Sequence, residues 1–460
     1  MRNTIFQPGL FKSWAIAAVM ACGLAACGGG GGGGGPVAEA PAPVNPPVTT
    51  PPVTPPPAET PVTPVTPVPP PVPVPPPLES RYYASWTAAM QDATVEWPGT
   101  AVKAAPAFNN QTLRQVVRLS LGGDTVRVKL SNRFGKTPAT FSGVRVARSI
   151  NGNSEIDITT DRAVTFAGQV SVTIAAGAEV TSDAVTLPVT ALSSLAVTSY
   201  FAGDTTIATI HTDARQPAYV VAGNQLSAAS LQTAGAELRD VYYGLTAVEA
   251  ASTEPAKLIV AFGDSLTDGA GTDTGSNKRY LNQLDDRLKA AGQARTGVVN
   301  GGISGNRWVY DFAGPSGSSR LERDVLEVRG VTHAILLLGI NDIGFSEAFP
   351  QMQAASAQQV IDAIQAATNA AKARGVTVLL GTLTPFKGSG YYSATSEAKR
   401  LAINAWIRSQ TLAAVIDFDQ VVRSASDPAA LNPLYDSGDH LHLNSAGYSA
   451  MAAAVDLSRL

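Results

Sequence analysis

Between Tyr82 and Ala251 the apolar positions fall in short runs rich in Val, Thr and Ile, over 115–121, 125–130, 170–174 and 195–201. Gly122-Gly123-Asp124 and Asn151-Gly152-Asn153 separate such runs. Short β-branched segments punctuated by turn residues predict an antiparallel β-sandwich. After Glu254 the pattern changes to buried strands alternating with amphipathic helices. It predicts strands at 257–262, ending at 298–299, at 333–338, 376–380 and 413–418, and helices at 277–291, 320–328, 352–374, 395–409 and from Ser445 onward. This alternation implies right-handed crossovers and a parallel sheet covered on both faces. Ligand sites in such sheets form beyond the carboxyl ends of the strands.

The front of the chain has no such pattern. Arg2 and Lys12 precede an apolar stretch that ends in Leu24-Ala25-Ala26-Cys27, which reads as an export signal over 1–27. Its ending resembles the lipobox of bacterial lipoproteins, which implies a lipid on Cys27; an ordinary secretory signal is the other reading. Residues 28–35 are all glycine, and 36–77 are dominated by Pro, Val, Thr and Ala. Neither can build a core, so 28–79 is expected to be a disordered tether reaching on the order of 100 Å. The β-sandwich domain is then placed at 80–250 and the α/β domain at 251–460.

Composition narrows the function classes. With 33 basic against 36 acidic residues and no basic cluster, nucleic acid is not an expected partner. Cys22 and Cys27 are the only cysteines, so no internal disulfide is expected in the mature chain. No apolar run after the leader is long enough to span a bilayer, and membrane attachment would come through Cys27. The protein is expected to be exported, as an outer-membrane or cell-surface lipoprotein or else secreted, and to be a monomer.

Four segments carry candidate chemistry. In Ala261-Phe262-Gly263-Asp264-Ser265-Leu266-Thr267-Asp268-Gly269 a serine follows a buried strand, where its hydroxyl can face a cleft; a turn or helix-capping serine is the alternative. Val299-Asn300-Gly301-Gly302-Ile303-Ser304-Gly305-Asn306 ends the second strand, and glycines there let a backbone N–H approach a developing oxyanion. Leu338-Gly339-Ile340-Asn341-Asp342 ends the third, and an Asn amide can donate to the same atom. Either could also be an ordinary β-to-α turn. In Asp436-Ser437-Gly438-Asp439-His440-Leu441-His442 an Asp stands three residues before a His and can orient its imidazole. The spacing selects His442 over His440, and a metal site is the competing reading.

These four segments, in this order, resemble the motif blocks of the SGNH (GDSL) hydrolases. The resemblance covers about the last 205 residues. It implies a flavodoxin-like three-layer α/β/α domain in which Ser265 is the nucleophile and Asp439 and His442 complete the triad. The Ser265 and Gly305 N–H groups and the Asn341 amide would form the oxyanion hole. No Gly-x-Ser-x-Gly motif follows a strand in this domain, which argues against an α/β-hydrolase. Segments 110–115 and 126–135, with Ile210-His211-Thr212, resemble the β-domain that precedes the catalytic domain in extracellular esterases of this kind. His211 could help bind substrate or be a hydrogen-bonded structural histidine.

The expected activity is hydrolysis of a carboxylic ester through an acyl-enzyme, without metal or organic cofactor. Short-acyl or acetyl esters, among them acetylated polysaccharide, are the first expectation. A lipase or arylesterase, an acyltransferase and an inactive glycan-binding protein are the alternatives. His333, Trp86, Trp97, Trp308 and Trp406 read as packing residues, although Trp308 is close enough to the Gly305 turn to line an acyl pocket. The aromatics of the 384–392 loop could touch substrate.

Overall fold

The computed structural model describes residues 81–95 and 104–460; the leader with Cys27, the tether and Trp97 lie outside the described residues. The N-terminal region is built from two large antiparallel sheets, with three small ones of two or three strands beside them. One runs Glu237–Arg239, Ala218–Ala222, Gln111–Arg118, Ser194–Phe201, Gly143–Arg148, Arg162–Val164 in spatial order. The other runs Arg81–Thr87, Leu245–Ser252, Gly123–Ser131, with Glu179–Thr181 and Val185–Val189 both on the far edge of the last. Val126, Val128 and Leu130 alternate inward along Gly123–Ser131 and meet Leu113 and Val117 of the first sheet in one core. Phe108 stacks on Phe201 there, with ring centroids 4.7 Å apart.

The predicted strand at 115–121 lies instead at Gln111–Arg118. Its polar start is buried because Arg114 finds partners inside, donating to Thr198 Oγ1 and to the carbonyls of Ser154 and Ala228. A pattern read for apolar residues passes over such a strand end.

The second region is a five-stranded parallel sheet: β1 (Lys257–Gly263), β2 (Thr296–Gly302), β3 (His333–Leu337), β4 (Thr377–Gly381) and β5 (Ala414–Ile416), in the order 2-1-3-4-5. This is the flavodoxin-like order, in which the chain reverses direction between β1 and β3 and opens a crevice at their carboxyl ends. Four short or medium helices come first: α1 (Ser265–Asp268), α2 (Tyr280–Ala290), α3 (Gly317–Leu321) and α4 (Ile340–Ala348). Then follow α5 (Ala357–Ala373), α6 (Ala394–Ser409), α7 (Phe418–Val422) and α8 (Ser445–Ala454). Ile259 and Ala261 of β1 face the core under α2, α7 and α8, while Leu258, Val260 and Phe262 face the core under α5 and α6. Both faces are covered, so β1 reads as an unbroken apolar run rather than an alternating one.

Three differences from the predicted elements have local causes. The helix expected at 352–374 starts later, where Ser356 and Gln359 form a capping box. The helix expected at 320–328 is α3 running into a π-turn at Glu322–Leu326. Helix α4 was not foreseen: Ile340, Asn341, Asp342, Ile343, Gly344 and Phe345 are all buried, so no polar face marks a helical period.

The two regions pack as one compact unit. Tyr83, Ala84 and Leu121 belong to the same apolar cluster as Val260, Phe262 and Trp308. Thr87 Oγ1 donates to the carbonyl of Asn300 on β2 at 2.7 Å, and Ala84 N–H to the carbonyl of Arg329 at 2.9 Å. The β-region is thereby held against the carboxyl end of β2, beside the predicted site.

Candidate active site

Strand β1 ends at Gly263, where a Cβ would lie 2.3 Å from the carbonyl oxygen of Leu337 and 2.2 Å from Thr267 Oγ1. Glycine lets β1 turn sharply between β3 and α1. Asp264 caps α1, its Oδ1 accepting from Leu266 N–H at 3.1 Å. Ser265 is therefore the first helical residue, and its own N–H lacks an intrahelical acceptor. Ser265 Oγ lies 2.8 Å from His442 Nε2, and His442 Nδ1 lies 2.6 Å from Asp439 Oδ2. Asp439 Oδ1 also accepts from the N–H groups of Leu441 and His442, at 3.0 and 2.8 Å, which fixes the turn before α8.

A carboxylate on Nδ1 makes that nitrogen the donor and leaves Nε2 free to accept the serine proton. Burial works to raise the Asp439 carboxyl pKa. The hydrogen bond and charge of His442 and the two backbone donors outweigh it, and hold Asp439 well below the usual carboxylate range. His440 points elsewhere: it is exposed, and its Nδ1 sits 2.6 Å from Asp436 Oδ2.

The two other predicted positions line the same cleft as Ser265. Gly305 has a left-handed backbone, φ 77°, beyond the end of β2, whereas Gly301 and Gly302 are strand residues. No acceptor for the Gly305 N–H occurs among the described residues. Asn341 stands in the first turn of α4. Its Nδ2 donates to the carbonyl of Asn306 at 2.9 Å, and its Oδ1 accepts from Tyr391 OH at 3.1 Å. The amide is thus oriented, with one hydrogen unspent. Ser265, Gly305, Asn341, Asp439 and His442 all line one cleft of about 490 Å³.

Residues outside the predicted set hold this arrangement. The buried Arg320 donates to the carbonyls of Gly263 (2.8 Å) and Gly301 (2.7 Å) and to Asn306 Oδ1 (2.9 Å), tying the ends of β1 and β2 to the Gly305 turn. Burial lowers its pKa to about 10, against the pull of Asp324, so it stays charged at neutral pH. Asp342 accepts from the N–H groups of Trp308 (2.7 Å) and Val309 (3.0 Å), although burial pushes its carboxyl up to about 6. Trp308 does not line an acyl pocket: it is fully buried on Phe262, with Nε1 donating to the carbonyl of Leu338. Tyr391, from the 384–392 loop, does reach the cleft. His333 starts β3, bonded to Thr332 Oγ1. Arg320 and Asp342 carried no local signal, since their partners are distant in sequence.

Residues 261–450 match the GDSL-like Lipase/Acylhydrolase family. The chain carries a GDSL-like lipase/acylhydrolase domain. Solved structures similar to it include an acetyl xylan esterase (21% identity, 43% of this chain and 96% of that one, TM-score 0.35). The lipase/acylhydrolase of Enterococcus faecalis is similar at 20% identity, over 43% of this chain and 92% of that one, with TM-score 0.35. A mutant of an acetyl-xylooligosaccharide esterase from Geobacillus matches at 21% identity, over 44% and 93%, with TM-score 0.35. No curated protein matches the chain. Ser265, Gly305, Asn341, Asp439 and His442 all lie within the matched segment and line the cleft, and the β-region adds Asp213 and Arg215 to it.

Proposed function

We propose that this protein is a serine carboxylic ester hydrolase. The observation that carries the reading is the 2.8 Å contact of Ser265 Oγ with His442 Nε2, backed by Asp439 at 2.6 Å. His442 takes the Ser265 proton as Oγ attacks the ester carbonyl, then passes it to the leaving alkoxide; water repeats the sequence on the acyl-enzyme. The Ser265 and Gly305 N–H groups and the free Asn341 amide hydrogen stabilise the tetrahedral oxyanion. Fluorophosphonate labelling should map to Ser265, and Ser265→Ala should abolish turnover of a short chromogenic ester. Wild-type turnover in that variant would refute the assignment.

The cleft supports a polar ester with a short acyl group. Phe345, Phe349 and Tyr391 bring packed aromatic rings to the cleft, while Asp213 and Arg215 bring hydrogen-bonding groups suited to hydroxyls such as those of a carbohydrate. A chain-length series on purified protein tests this. Preference for acyl chains of about eight carbons or more, each buried CH₂ contributing ~0.8 kcal/mol, would favour a lipase instead. We further propose that the protein acts outside the cytoplasm, tethered through Cys27. Cys27→Ala should then move it from the membrane to the soluble fraction.

A further inference from the structure

The contact between the β-region and the GDSL-like domain contains a buried polar chain that stability alone does not explain. His211, on the strand Thr209–Thr212, is 2% exposed, and its Nδ1 lies 2.8 Å from the carbonyl of Ala89. Its Nε2 lies 3.0 Å from Oδ1 of Asp268, which is fully buried and ends α1 three residues after Ser265. The other Asp268 oxygen, Oδ2, accepts from both the N–H (3.1 Å) and the Oγ (3.0 Å) of Ser304, the residue before Gly305.

A carbonyl on one ring nitrogen and a carboxylate on the other call for a donor at each, which is the imidazolium. Burial opposes that charge, but Asp268 and the Ala89 carbonyl outweigh burial and the repulsion of Arg279, so the His211 pKa is raised. Arg279 completes the junction, with Nε donating to the carbonyl of Asp268 at 2.6 Å and Nη2 to that of Ala214. Ala89 itself packs on Ile303, next to Ser304. Apolar side chains of similar volume would join two domains at no cost in buried charge. What they would not do is hold a carboxylate in one orientation, with one oxygen on the β-region and the other on the turn that ends in Gly305.

We propose that His211 is a positioning residue for the oxyanion donor: through Asp268 it fixes Ser304, and so the direction of the Gly305 N–H, from a neighbouring domain. The role rests on the esterase reading given above. It predicts loss in the chemical step rather than in substrate binding, because Gly305 N–H meets its full charge in the transition state.

The test compares kcat and KM on a short chromogenic ester for the full chain and the variants His211→Leu, His211→Gln, Ser304→Ala and the His211→Leu/Ser304→Ala pair, with thermal unfolding of each. Leucine removes both donors, while glutamine can return one N–H to Asp268. Expected are a kcat at least about tenfold lower in His211→Leu with KM within about twofold, partial recovery in His211→Gln, and a double variant no slower than the slower single one. A folded His211→Leu with wild-type kcat, a loss confined to KM, or losses that multiply in the double variant would overturn the proposal. Should His211→Leu not fold, Ser304→Ala and His211→Gln decide: wild-type kcat in Ser304→Ala overturns it, and a lowered kcat in Ser304→Ala with recovery in His211→Gln supports it. A wild-type chain inert on short esters and unlabelled at Ser265 would overturn the esterase reading and this role together. An active wild type with an unaffected His211→Leu overturns this role alone.

Discussion

Asp264 sits beside the serine in complete burial, 1% exposed, with Leu266 N–H as its hydrogen-bond donor. Burial pushes its carboxyl pKa from 3.8 up to about 7; Leu266 N–H, His442 and Arg320 pull it down and Asp342 pushes it up. Because the folded value lies above the unfolded one, the folded state holds this proton more tightly. The stability it contributes is complete below about pH 4, falls as pH rises toward about 7, and is lost above that. The gap of about three pH units corresponds to ~4 kcal/mol at ~1.4 kcal/mol each. Asp264→Asn retains an Oδ1 to accept from Leu266 N–H and cannot ionise. The other carboxylates that burial pushes upward, Asp240, Asp285 and Asp342, are common to both chains, and only the repulsion between Asp264 and Asp342 differs between them. Urea unfolding of wild type and Asp264→Asn at about pH 4, 6 and 8 should therefore show the variant gaining on the wild type by up to ~4 kcal/mol across the range, most of it below about pH 7. A difference that stays constant within ~1 kcal/mol would refute the reasoning, since a group that ionises equally in both states produces no slope.

Asn341→Ala removes a side-chain oxyanion donor and should lower kcat by about 10²- to 10³-fold, measured on the same ester, with far less effect on KM. Tyr391→Phe frees the Asn341 amide to rotate, and kcat should fall by a few-fold while the unfolding midpoint changes little. Arg320→Met leaves the carbonyls of Gly263 and Gly301 and Asn306 Oδ1 without their buried donor; a loss of about 3–5 kcal/mol is expected in urea unfolding.

The parts of this site that were legible in the sequence are those compressed into short segments. Asp439 and His442 share one turn, a spacing that lets the carboxylate orient the imidazole, and the structure has Asp439 Oδ2 on Nδ1. Gly305 is singled out among three nearby glycines by the family resemblance alone, and it is the one of the three with a left-handed backbone, φ 77°. The parallel sheet was legible because β1, β3 and β4 carry continuous apolar runs, whereas only Val298 and Val299 mark β2. Helix α4 was hidden by having no polar face. Arg320 looked like an ordinary helical arginine, because its partners lie 14, 19 and 57 residues away. His211 was open to two readings, and the choice turns on Asp268, 57 residues later and outside the four motifs' named positions. Trp308 is the packing residue its type suggests, buried on Phe262, and its proximity to Gly305 along the chain does not bring its ring into the cleft.

The outer edge of β2 has a consequence for how the protein can be dissected. There Val298 N–H donates to Ser120 Oγ and the carbonyl of Asn300 accepts from Thr87 Oγ1, so side chains of the β-region cap backbone groups that a neighbouring strand would otherwise claim. The link between Ser252 and Lys257 is a boundary of topology and not of stability. A fragment beginning at residue 253 would expose those groups and the apolar surface under Tyr83, Ala84 and Leu121, an open edge of the kind that pairs with other chains. The smallest piece suited to transfer or engineering is thus both regions together.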